Sequence, residues 1–237
     1  MREIKISDEG NGGIGVAYLL GALKGTLADF KGNISANSVG ERDIIKIKIG
    51  KEYGDFLRYE IEDKISEVIA IKYKYDYFKN YIRAEGLNGD ETEILFSALI
   101  AADVDEDKAY VSNKLKRLSE YAIDGVYNFR LGALKRKWSD IVGYIPAYFE
   151  KERLTDFVSY LTGEKSGKAV TIEGGVVFDR HYNVLNRTAL TCDKAQGRIV
   201  REAILSGCGD VRITGEIAES DEIALKRFFP GRVYTAK

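Results

Sequence analysis

Histidine is almost missing from this chain: His181 is the one imidazole in 237 residues. A Ser-His-Asp triad would have to run through it, and a zinc site would lack its usual ligands. His181 lies in Asp179-Arg-His-Tyr-Asn183, between extended segments, and reads as a solvated turn residue. Cysteine is nearly as scarce. Cys192 and Cys208 form no metal-type spacing and fit a reduced, cytoplasmic protein; no metal is expected, and no cofactor either. A charge of one sign is lacking too, with 36 Lys plus Arg against 37 Asp plus Glu. That balance gives no global attraction to nucleic acid or to a membrane surface. No apolar run is long enough to span a bilayer, and no signal-peptide pattern follows Met1.

What is present is ordinary globular material, 45% hydrophobic and 31% charged, with length enough for one large domain or two small ones. The strongest helical signal is the mid-chain stretch Leu115 to Leu131. Leu115, Leu118, Ala122, Val126, Phe129 and Ala133 recur at spacings of three and four, which predicts one buried helix face. Ile123, Tyr127, Leu131, Leu134, Trp138 and Ile141 repeat the period on a neighbouring face. A single helix over 108–145 is expected. Gly125 and Gly132 fall on the side of Tyr121 and Asn128, where each glycine costs about 1 kcal/mol relative to Ala. A close backbone approach, with Asn128 bonded to it, is preferred there over a ligand read by Asn128. Arg130 points elsewhere and suits a carboxylate partner, or failing that an anion or protein contact.

In chain order, Arg2 to Ser7 alternates as a strand with one wet face, and a helix follows from about Val16 to Phe30. Between them, Gly10, Gly12 and Gly15, with Gly13 inside the loop, match the G-x-G-x-x-G spacing whose amides can cradle phosphate. Asp8 and Glu9 place negative charge beside that loop, and the strand is not continuously apolar, so a glycine-rich turn is preferred. Strands are expected at 33–38 and 43–49, the second with Ile45, Ile47 and Ile49 on one side. Leu57, Ile61, Ile65, Val68 and Lys72 mark one face of a helix running on through Ile82. Its Lys72-Tyr-Lys-Tyr-Asp-Tyr-Phe-Lys79 string puts Tyr73 and Tyr77 on one stripe with Tyr81, which suits packing better than base stacking. Asn88 to Glu91 should cap the next helix, Pro146 should open another through Leu161, and Ser220 should cap a late one. Ala169 to Asp179 reads as a hairpin turning at Gly174-Gly175, and Asp193 as the cap of a helix ended by Gly207.

These elements predict an α+β or α/β chain. It comprises a small N-terminal β-α-β-β unit (1–50), a helical block (51–165) and a C-terminal β-β-α-β-α-β unit (166–237), as three parts or one integrated domain.

The string Ile123-Asp-Gly-Val-Tyr-Asn-Phe-Arg-Leu131, the hairpin after the helical block and the closing Phe228-Phe-Pro-Gly-Arg-Val233 together resemble the sporulation protein YtxC family. The resemblance covers roughly Glu91 to the end. It departs at the last residues, where Tyr234-Thr-Ala-Lys237 stands in place of a cysteine-containing tail. It implies a cytoplasmic sporulation protein with a protein partner in sporulating cells, and it carries over no catalytic residue. Asn128, Phe129 and Arg130 match the family string and are the residues to watch. The alternatives are a nucleotide or phosphate ligand on Gly10, Gly12, Gly13 and Gly15, and, less favoured, nucleic acid on the basic clusters Lys72 to Lys79, Lys114 to Arg117 and Lys135 to Lys137.

Overall fold

A computed structural model describes residues 2–9, 13–116, 118–163, 167–192 and 194–236. The architecture is mixed α+β, with two mixed sheets of four strands each among the described residues. The chain forms two compact units, Met1–Lys74 with Val104–Asp140, and Tyr75–Asp103 with Ile141–Lys237.

The first unit begins with the expected β-α-β-β: β1 (Arg2–Glu9), α1 (Ile14–Asp29), β2 (Asn33–Val39) and β3 (Arg42–Ile49). β1 and β3 pair antiparallel with Ile4 opposite Ile47 and Ile6 opposite Ile45. Alternation drives these isoleucines to one face, where all are buried, while the intervening lysines stay outside. Leu19, Leu23 and Leu27 of α1 are buried as well. Asp8 continues the inward phase of Ile4 and Ile6 and is only 3% exposed. After a 3-10 turn at Lys51–Tyr53 comes α2 (Gly54–Val68), a π-helical segment (Ile69–Tyr73), then α3 (Lys74–Tyr81). Leu57, Ile61, Ile65 and Val68 form the buried face that the spacing predicts.

The helix expected over 108–145 is not continuous. α4 (Gly89–Leu115) runs through a non-helical Asp103 and stops. The chain then extends as β4 (Tyr121–Ala122), parallel to β1, before α5 (Ile123–Arg130) and α6 (Gly132–Tyr144). The cause is tertiary. Arg58 donates to the Leu118 carbonyl and, at 2.9 Å, to Glu62, and the Tyr121 hydroxyl donates to Glu62 at 2.8 Å. This buried cluster holds 118–121 against α2 and outweighs a helical period. Both expected rows are buried in part: Leu115 and Val126 of the first, and Ile123, Leu131, Leu134 and Trp138 of the second, are all 4% exposed or less.

In the second unit, the Asn88 side chain accepts the amides of Asp90 and Glu91, and Glu91 accepts that of Asn88: the expected cap is a capping box. The helix expected from Pro146 starts later, as α7 (Lys151–Gly163), because residues 147–149 bond in extended form to both backbone groups of Glu85. β5 (Ala169–Glu173) and β6 (Val176–Phe178) form the hairpin, with Gly174 and Gly175 both at positive φ, as a tight two-residue turn requires. α8 (Arg198–Leu205), β7 (Asp210–Thr214), α9 (Glu219–Phe228) and β8 (Val233–Ala236) follow. The sheet order is β6-β5-β7-β8, with β5, β7 and β8 parallel. Ser220 lies inside α9, whose N-cap is Ala218; Asp193, expected to cap α8, lies outside the described residues.

Candidate functional site

Of the glycine loop, Gly10 and Gly12 lie outside the described residues. Gly13 is the left-handed N-cap of α1, with no side-chain cap bond among the described residues. A Cβ on Gly13 would stand 3.2 Å from an Asp43 carboxylate oxygen, and one on Gly15 would stand 3.1 Å from that of Asp8. Two carboxylates thus occupy the space beside the first turn, where an anion would have to sit.

The Lys/Tyr string is not a solvated basic face. Lys72 is 6% exposed and Lys74 wholly buried. Lys74 donates to Asp107 at 2.8 Å, and Asp107 also accepts from Lys137 at 2.8 Å and from the Trp138 indole at 2.9 Å. Asp8 accepts from Tyr73, and Glu67 from Tyr18 and Lys64. This buried ionic core lies around the π segment Ile69–Tyr73, a helix irregularity. Tyr73 is buried and Tyr77 half-buried, and Tyr81, though exposed, packs its ring on that of Tyr77 with centroids 4.7 Å apart.

Asn128, Phe129 and Arg130 come together at the exposed C-terminal end of α5. Phe129, expected on a buried row, is 88% exposed. Val126 is buried as its spacing predicts, but Phe129 lies one turn on, beside the end of α5 at Arg130, and stands in solvent. The corner with α6 is basic. Lys135 donates to the Asn128 carbonyl at 3.2 Å and lies over the Tyr127 ring, while Arg136 reaches to 3.9 Å of where a Cβ on Gly132 would stand. Among the described residues, neither Gly125 nor Gly132 meets another backbone there; the first contact for Gly125 would be the Ala122 side chain at 3.4 Å. The close approach expected at these glycines is replaced by open surface.

His181 is an exposed turn residue, its amide bonded to Asp179, whose carboxyl the turn's hydrogen bonds hold below the usual range. It lines a cavity of about 300 Å³ with Lys168, Arg180, Arg187 and Cys208. Burial pushes the Cys208 thiol up to about 11, so it is no ready nucleophile for this space. At pH 8 the thiolate fraction of Cys208 should be about a hundredfold below that of an ordinary cysteine, because a thiol's ionised fraction falls about tenfold for every pH unit that its pKa rises. Alkylation followed by peptide mass mapping should therefore label Cys208 far more slowly than the half-buried Cys192. Equal rates would contradict the burial.

No helix among the described residues is long and apolar enough to cross a membrane, and no group of three or more candidate metal ligands occurs among them. No protein-family model, curated protein or solved structure matches the chain.

Proposed function

We propose that this is a non-enzymatic interaction protein acting in the cytoplasm of sporulating cells, and that the α5 corner is the surface through which it works. The carrying observation is Phe129, a large aromatic side chain 88% exposed on a helix whose inner residues Ile123 and Val126 are buried. Aromatic and arginine side chains supply most hot-spot energy in protein interfaces, and Phe129 is followed directly by Arg130. Arg130, Lys135 and Arg136 make the corner cationic, so the fitting partner is a protein with an apolar pocket rimmed by acidic side chains. The sporulation setting rests on the resemblance of the Ile123 to Leu131 string to the YtxC family.

An allele carrying Phe129→Ser and Arg130→Glu tests this in an endospore-forming host. Both side chains are exposed, so the melting temperature should stay within a few degrees of wild type, surface changes being about 0.5 kcal/mol or less. Spore yield should nevertheless fall about as far as in a deletion. A normal yield from either strain would overturn the proposal.

A further inference from the structure

Helix starts of the second unit converge on a cavity of about 190 Å³, lined by Asn88, Gly197, Arg201, Ser220 and Asp221 among others. They are those of α4, α8 and α9. α4 has satisfied its own end through the Asn88–Glu91 capping box. α8 has not: among the described residues it carries no side-chain cap and no acidic residue in its first turn, whereas α9, also without a side-chain cap, has Glu219, Asp221 and Glu222 there, and its Asp221 and Glu222 amides bond to the Ala218 carbonyl. α8 instead starts on Gly197, at φ 65, which leaves the approach to its first amides clear of a Cβ.

Arg201 is the second and independent observation. It is only 1% exposed and lines this cavity. Two of its nitrogens donate to the carbonyls of Lys194 and Gln196, but its Nε–H has no acceptor among the described residues. A buried guanidinium normally has all its donors satisfied. A missing acceptor beside the uncapped, acid-free start of α8 is what an anion site would present. The acidic residues at the rim are largely committed, Asp90 to Lys194 at 3.5 Å and Glu91 to the α4 cap and to Lys151 at 3.3 Å. Asp221 is the exception, a carboxylate at the cavity wall whose pKa burial raises.

We propose that this cavity binds a small organic anion, a phosphate or carboxylate group held by the first-turn amides of α8 and by Arg201. Asp221 then tunes the site by repelling the anion when charged and by accepting a hydroxyl or amine of the ligand body. At about 190 Å³ the cavity is below the usual range of roughly 300–1,000 Å³ for small-molecule pockets and suits a small anion.

The test uses the full chain, inorganic phosphate as probe and ³¹P line broadening as readout. Wild type should bind in the millimolar range or tighter. Asp221→Asn should bind about tenfold more tightly, since a neighbouring like charge shifts such equilibria by about one log unit or more. Ser220→Asp should bind about tenfold more weakly for the same reason, yet hold or raise the melting temperature, because acid in a first helical turn is favourable. Arg201→Lys should lose binding. If that variant fails to fold, the other two changes still decide the matter. Equal affinity across wild type, Asp221→Asn and Ser220→Asp, or no binding by any of them, would overturn the site.

Discussion

Asp107→Ala is expected to lower the unfolding free energy by about 3–5 kcal/mol, the typical result of removing one partner from a buried ion pair. Asp107 is 1% exposed and serves three donors at once: the wholly buried Lys74, Lys137 and the Trp138 indole. Its loss takes a bonded carboxylate from a wholly buried ammonium. Lys137 is less constrained, with 37% of its side chain exposed, and can turn to solvent. The double variant Asp107→Leu with Lys74→Met should recover much of the loss, since replacing both charges by apolar groups of similar size removes both desolvation costs. Urea unfolding of the three chains measures this. A single variant within about 1 kcal/mol of wild type would show that the pair is hydrated.

Glu202→Ala is expected to cost about 3 kcal/mol or more, since each buried donor deprived of its acceptor costs about 1–3 kcal/mol. Glu202 projects from α8 at 3% exposure and accepts the backbone amides of Arg187 and Thr188 at 2.7 and 2.8 Å. It also accepts the Thr188 hydroxyl at 2.6 Å. One carboxylate therefore anchors the start of the 3-10 turn Arg187–Leu190, which has no side-chain cap of its own among the described residues. Hydrogen exchange at Arg187 and Thr188 should accelerate in Glu202→Ala well beyond the global loss of stability. Exchange that tracks the global loss alone would mean that the anchor is not local.

Strands and turns were the parts most legible in the sequence, because their signals are local. Ile45, Ile47 and Ile49 against lysines can face only one way, and Gly174-Gly175 supplies a turn that few residues adopt. The middle of the chain misled for a non-local reason. Leu115 to Leu131 keeps helical spacing throughout, yet Glu62, far away in sequence, captures Tyr121 and straightens the chain. Within α5 the spacing placed Val126 correctly, but Phe129 stands beside the end of the helix at Arg130, and periodicity does not show where a helix stops. The ionic core escaped notice because Lys74, Asp107 and Lys137 look like surface charges until the fold brings them together. Arg201 gave no signal either: an arginine in a short amphipathic helix ordinarily lies outside, and only its burial shows otherwise.

The central claim is that the α5 corner holds a protein partner, and quantitative affinity capture tests it most directly. Tagged wild-type protein and the Phe129→Ser, Arg130→Glu variant would be recovered from nuclease-treated extracts of sporulating and vegetative cells. The account predicts a partner bound stoichiometrically by wild type in sporulating cells only, reduced at least tenfold by the double substitution, and reconstituted from the two purified proteins with that same difference. Equal recovery by both chains, or loss of the partner on nuclease treatment, would contradict it.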